Sequence, residues 1–410
     1  MNTNVRYSRT IYGGKTTMKQ LKFGLLAKLL LGILSGILIG SLGTLLHIEN
    51  TGFFISVVRL FATFTTLFST FLSFIIPLLI VSFVSVGLAD LGKKANKLFG
   101  ITLLFAYLST IIAGFAAFFA GKLVLPSLIQ PITASEVTAS TFPTFFEINV
   151  EPIFGVMTAL VLAFLLGLGM ANSETSALNK CIHDLQSIIS MTLNKVIIPL
   201  IPVHIAGLFC SIAAQGELLA TVKMFLQLFL LILVFQWGYI LLQFVVASVA
   251  TKENQVAKLS NLFPAYFTAL GTQSSAATIP VNLRCAKQNG ITDDIADFVI
   301  PLGATIHLAG DTICLVIGAM GIMLANGFTP DLAMFTPFIF MLGITMVAAP
   351  GVPGGGVMAA LGLISSLLGF TEPMQQLIIS LHFSQDSFGT ACNVTGDQAI
   401  ATLVNKIDMA

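Results

Sequence analysis

Charge is what this chain has least of. Of 410 residues only 9% are Asp, Glu, Lys or Arg, while 56% are hydrophobic, and the mean hydropathy is +0.95. Soluble domains carry about 25% charged residues. The composition therefore excludes a soluble globular fold and fits an all-α polytopic membrane protein. A net charge of +1 provides no basic surface for nucleic acid. Cysteine is scarce too: Cys181, Cys210, Cys285, Cys314 and Cys392 occur without CxxC spacing, which favours small hydrophobes over a disulfide framework or a metal knuckle. No small-residue cleavage pattern follows the first apolar run, so it reads as a retained span rather than a signal peptide.

The few charges are sorted by position. Arg6, Arg9, Lys15, Lys19 and Lys22 precede the first apolar run, Lys93, Lys94 and Lys97 follow the second, Lys252 and Lys258 precede residue 271, and Arg284, Lys287 and Lys406 come later. The loops 47–52, 126–151, 326–331 and 369–373 contain neither Lys nor Arg. The positive-inside rule then predicts cytoplasmic N- and C-termini in a multi-pass protein of the cell (plasma) membrane. Residues 1–17 read as a leader, a tag or a misassigned start, outside the fold.

Spans need about 20 apolar residues. Six runs are long enough or nearly so: 25–46, 54–86, 101–125, 153–170, 197–213 and 218–249. Residues 173–195 are amphipathic at helical spacing and predict a cytoplasmic lead-in helix. After Ala250 the pattern changes, because apolar segments become short and are broken by Gly, Pro and Ser. One break is Gly271-Thr272-Gln273-Ser274-Ser275; another runs from Ala348 to Gly356; a third, Gly303 to Asp311, interrupts an apolar run. Broken backbone at membrane depth is tolerated only inside protein or along a wet cavity. The first two breaks predict helical hairpins dipping into the membrane at about 255–289 and 333–367, each followed by a polar-marked span, at 294–325 and 373–407. By the charge rule the hairpins enter from opposite sides, which makes the two units inverted repeats and points to a transport site.

The last span carries the densest chemistry. His382, Asp386, Thr390, Asn393 and Asp397 lie at offsets of 0, 4, 8, 11 and 15, all on one helical face. Two carboxylates and an amide on a buried stripe suit a hard cation such as Na+; the alternative is interhelical bonding that only holds the bundle together. Intramembrane hydrolysis is disfavoured, because Ser274 and Ser275 have no lysine near them at membrane depth and Asp386 and Asp397 lie about three turns apart. The broken hairpins argue for an occluding carrier over a channel.

These residues resemble the dicarboxylate/amino acid:cation symporter family (sodium:dicarboxylate symporters, glutamate-transporter fold). The stretches Thr272 to Val281, Pro301 to Gly310, Gly351 to Gly356 and Asn393 to Asp397 are similar to its motifs. In motif the chain is most similar to the family's serine/threonine symporters. The resemblance implies eight transmembrane helices plus two re-entrant hairpins, a homotrimer, and an elevator mechanism. Residues 18–250 would mainly form the trimerising scaffold, with the third span joining the transport core of 251–410. Asp386 would hold the substrate amino group. Gln273, Ser274, Ser275, Asp311, Val352, Gly354, Gly389, Thr390 and Asn393 would line the same site. Asp397, Asn393, His307 and the backbone at Gly303 would hold one Na+, and the backbone around Thr305 and 346–349 a second.

The departures from the family pattern bear on selectivity and coupling. Ala309 stands where many members have Asp, which removes a carboxylate from the cation site reached by Tyr107 and Thr110. Gly389 stands where an Arg binds acidic side chains, and the hairpin Arg of some members is Gln273. An acidic substrate would then be buried without a guanidinium partner. His307 and Asp311, four residues apart, are expected to share a face and to form a proton site, or Asp311 to turn toward His307 and leave the pocket neutral. The reading is a symporter importing a small polar neutral, serine- or threonine-like amino acid with Na+. A proton-coupled or cationic amino acid carrier and a dicarboxylate symporter stand as alternatives.

Overall fold

The computed structural model describes residues 25–93, 97–129, 142–172, 176–216, 218–349 and 353–408. Residues 1–17, expected to lie outside the fold, Val352 and residues 130–141 of the loop at 126–151 lie outside the described residues. The regular elements described are all helical. Five helical stretches are long and apolar enough to cross a membrane: Gly52–Ala89, Lys97–Leu128, Ala177–Ala214, Leu218–Thr251 and Asp293–Ala325. Shorter apolar helices include Ala27–Gly43 and Val161–Asn172.

The first packing group is α1 (Leu25–Leu45), α2 (Gly52–Lys93), α4 (Val156–Asn172), α5 (Ser176–Thr192) and α6 (Ile198–Ala214). The amphipathic α5 runs through a single π turn, Leu193–Ile197, into α6. The seam between α1 and α6 is made by absence of side chains. A Cβ at Gly32, Gly36 or Gly40 would run into the backbone of Pro202, Ala206 and Cys210 respectively. Glycines four apart on one helix face allow this approach in an apolar medium, where dispersion rather than water expulsion drives helix association. His204 on α6 is fully buried against the Phe68 ring, 4.9 Å between centroids, as expected of a packing residue.

The second group is α3 (Lys97–Leu128), α7 (Leu218–Thr251) and everything after it. The sixth long run, α7, packs along the last helix and the second half of the broken one. Its buried Gln236 and Gln243 face that core, with Gln236 Nε2 donating to the Gly310 carbonyl at 3.1 Å. Polar side chains on one stripe of an apolar helix seek protein rather than lipid.

The first predicted hairpin folds as α8 (Phe263–Thr272) and α9 (Ser275–Gln288). Between them Gln273 is left-handed (φ 53), and Ser274 caps α9 by accepting the Ala277 N–H at 3.2 Å. At the far end of α9 Lys287 contacts Asp297 at 3.0 Å and Asp293 at 3.4 Å. The bond to Asp297, with Asp293 beside it, holds this exposed ammonium above the usual lysine range. The second hairpin is α12 (Leu332–Val347) and α13 (Gly355–Leu368), the latter starting at Gly354 with φ +73. A Cβ at Gly354 would enter the Phe383 ring, so both dihedral and space demand glycine there. Between the hairpins runs a helix in two pieces, α10 (Asp293–Ile306) and α11 (Ala309–Ala325), joined by His307, which is extended, and Leu308, which is non-helical. The final helix, α14 (Glu372–Asp408), is unbroken and lies among α7, α8, α10 and α11.

Candidate functional site

Five side chains on α14 face the break. His382, Asp386, Thr390, Asn393 and Asp397 are all buried, and the 3.6-residue period puts them on one stripe. Each ionisable one has a partner from a different segment. His382 Nε2 lies 2.9 Å from Asp311 Oδ1. Asp386 Oδ2 accepts the Gly354 N–H at 3.0 Å. Asp397 Oδ1 lies 3.0 Å from His307 Nδ1. Asn393 is the hinge of the group: its Oδ1 accepts the Gly310 N–H at 2.7 Å, and its Nδ2 donates to Asp311 Oδ2. The first turn of α11 is thereby held to α14 through side chains, which supplies the partners that backbone groups at a helix break lack.

A cavity of about 20 Å³ sits where the first hairpin turn, the break and α14 meet, room for about one water-sized group. Gln273, Ser275, Asp311, Asp386, Thr390 and Asn393 line it, as does Thr305. Ala304, Leu308, Ala349 and Gly356 complete the wall. Neither lysine nor arginine is among these residues. Ser274, expected at the pocket, serves instead as the helix cap. Gln273 turns its Nε2 onto Ser387 Oγ at 2.7 Å. Gly389 lies behind Asp311, where a Cβ would meet the Asp311 nitrogen at an ordinary 3.6 Å. Gly356 fits because a Cβ there would stand 2.8 Å from Asp311 Oδ1. Ala304, Leu308 and Gly356 were not anticipated as lining; being apolar, they carry no chemical signal in a sequence.

The expected His307–Asp311 pair does not form. Residues four apart share a face only on continuous helix, and His307 sits in the extended break (φ −117, ψ 98). Its ring turns to Asp397, while Asp311, restarting the helix, meets His382 instead. The imidazole's far side extends the group: His307 Nε2 is 2.9 Å from Ser109 Oγ, Gln243 Nε2 donates to Ser109 Oγ at 2.9 Å, and the Tyr239 hydroxyl donates to the Ser109 carbonyl. Sequence reasoning missed Ser109, Tyr239 and Gln243; the signal was a spaced polar stripe, Gln236 to Gln243, inside an apolar run.

The residues expected to hold Na+ fit it in part. Asp397 Oδ2 is buried without a partner among the described residues, an oxygen free for a hard cation. Gly303 lies against this carboxylate, so closely that a Cβ would be 2.8 Å from Oδ1. His307, however, presents nitrogen and already occupies the other oxygen, and hard cations prefer all-oxygen shells. On the third helix Thr110 Oγ1 donates to the Ala106 carbonyl, and the Tyr107 hydroxyl reaches the Phe340 carbonyl at 3.5 Å.

Comparison with known proteins agrees with this architecture. The human excitatory amino acid transporter 2 (Homo sapiens) is 28% identical over 252 residues, 60% of this chain and 43% of that protein. An excitatory amino acid transporter of Caenorhabditis elegans is 25% identical over 266 residues, 63% of this chain and 53% of that protein. The chain spans about half the length of these relatives. The model of the sodium:dicarboxylate symporter family matches residues 25–407, nearly the whole chain. The chain is an integral membrane protein and belongs to the sodium:dicarboxylate symporter family.

Proposed function

We propose that this protein is a secondary active symporter that imports a small polar neutral amino acid, serine- or threonine-like, driven by Na+. The observation that carries the reading is the small cavity lined by two buried carboxylates, Asp311 and Asp386, with no lysine or arginine among its lining residues. Asp386 is the counter-charge for a substrate amino group. The backbone of the two hairpin turns, with Ser275, Thr390 and Asn393 beside it, receives the remaining polar atoms. An acidic side chain would meet Asp311 with no guanidinium to balance it. Na+ would be held by Asp397, the Asn393 amide oxygen and the carbonyls near Gly303 and Thr305, and would supply the driving gradient.

In this reading the core from 251 to 410, joined by α3 and α7, moves as an elevator against the remaining early helices, which hold a homotrimer in the plasma membrane. The termini face the cytoplasm. The second reading, H+ as the coupling ion, is favoured by the contact of His307 with Asp397, because an imidazole there takes part of the space and charge of a metal cation. Uptake of a panel of radiolabelled amino acids into proteoliposomes, with Na+ and pH gradients imposed separately, tests both. Aspartate or succinate as the tightest competitor would overturn the substrate class. Uptake driven by a pH gradient alone would overturn Na+ coupling.

A further inference from the structure

We propose that His382 sets the charge of the substrate this pocket accepts. A neutral amino acid binds together with one proton on His382; an amino acid with a cationic side chain binds with His382 neutral and stands in for that proton. The inference rests on the amino-acid pocket proposed above and adds what balances its second carboxylate.

Asp311 and Asp386 are 4% and 5% exposed and line one cavity. Donor atoms of His382, Asp311 and Asp386 all lie within 4.8 Å of one another, so a charge on one is felt by the others in a low-dielectric interior. A substrate amino group answers Asp386. Asp311 then has the neutral Asn393 amide and His382 Nε2. The ring of His382 is 1% exposed, and its Nδ1 has no partner among the described residues.

That orphan atom leaves two states, each with one defect. With Nε2–H alone, the hydrogen bond to Asp311 is made but the pair keeps a net negative charge in an apolar interior. With Nδ1 protonated as well, the pair is neutral but one buried N–H stays unbonded. An unbonded donor is the smaller penalty when nothing else offsets the carboxylate, and an unnecessary one when another cation does. In the substrate-free pocket water solvates Asp311 and His382 is neutral; a neutral substrate displaces that water and brings no second cation, so it binds together with a proton on Nδ1. A substrate ammonium reaching Asp311 makes that proton redundant. Among described residues, the ionisable groups in this field are Asp311 and Cys314 on α11 and Asp386 on His382's own helix. The packed arms α12 and α13 carry no ionisable side chain along their lengths. Linkage fixes the sign. If neutral substrate binds with proton uptake, its affinity falls as pH rises, by up to about tenfold per unit, while a cationic substrate shows no such slope.

The test is calorimetric binding of L-serine and L-2,4-diaminobutyrate to the purified protein in buffers of different ionisation enthalpy, across pH 6–8 (a window around the ordinary imidazole value). One proton taken up with serine, none with diaminobutyrate, and a pH slope for serine alone are expected. His382→Gln keeps a donor to Asp311 but cannot hold the proton. It should weaken serine by about tenfold or more and remove the slope, while diaminobutyrate still binds. Asp311→Asn should also abolish proton uptake with serine and cost the preference for diaminobutyrate. A purely structural histidine would shift both ligands together and leave the slope in place. Serine bound without proton uptake, or a wild-type slope in His382→Gln, overturns this proposal alone. Failure of the wild type to bind either probe overturns the amino-acid pocket and this proposal with it.

Discussion

His307 Nδ1 stands 3.0 Å from Asp397 Oδ1, with both side chains fully enclosed. One oxygen of the carboxylate is thus committed to a nitrogen of the protein itself, and the other, Oδ2, has no partner among the described residues. A cation at Asp397 must share the carboxylate with the imidazole.

Asp397→Asn should therefore weaken Na+ activation of uptake. The amide keeps the shape and a contact to His307 but removes the charge that pairs with a cation. An increase of at least about tenfold in the Na+ concentration for half-maximal uptake is expected, the equivalent of about 1.4 kcal/mol. Unchanged Na+ dependence would show that Asp397 is not at the cation site.

His307→Asn tests the same contact from its other end. It exchanges an obstructing ring for a shorter side chain with an oxygen, and should shift Na+ activation to lower concentration. The Gly396 backbone, where a Cβ would meet His307 Cε1 at 2.6 Å, no longer has to leave room for a ring. A Na+ curve superimposable on the wild type would mean that the imidazole does not limit cation access.

Asp386→Ala should abolish uptake while the purified protein still elutes at the volume of the wild type. The substrate amino group would enter a desolvated pocket without its counter-charge, a loss of about 3–5 kcal/mol. The Gly354 N–H would also lose its acceptor. Robust uptake of any amino acid by this variant is the contrary result.

Gly389→Arg combined with Asp311→Thr should move preference toward aspartate. The Cβ position at 389 is open enough, 3.6 Å from the Asp311 nitrogen, and a guanidinium there would bind a carboxylate in bidentate fashion. Competition of labelled serine uptake by aspartate measures it, and no gain in aspartate potency would place the side-chain end of the pocket elsewhere.

Gly36→Val should destabilise the early helices without touching the pocket. Its first carbon would collide with the Ala206 backbone at the α1–α6 seam. Overpacking of this kind costs about 1–3 kcal/mol. A lowered melting temperature of the purified protein is expected, and an unchanged one would mean that the seam has slack.

Much of this was legible in the order of residues alone. Apolar run length marked the early helices, because the bilayer core has a set thickness. The clusters Gly271 to Ser275 and Ala348 to Gly356 marked the two breaks, because Gly, Pro and Ser interrupt helices; that Ser274 caps a helix and that Gly354 takes a positive φ emerged only in the structure. The stripe from His382 to Asp397 was readable because one unbroken helix has a local period. What the order could not decide was pairing. His307 and Asp397 are 90 positions apart, and Asp311 and His382 are 71 apart. Once the chain leaves helical geometry at His307 and Leu308, the four-residue spacing to Asp311 no longer implies a shared face. Which imidazole meets which carboxylate, and the docking of α7 against the core through Gln236 and Gln243, followed only from how the helices pack. Side-chain partners in an apolar interior are chosen by proximity in space, and period along the chain says nothing about that.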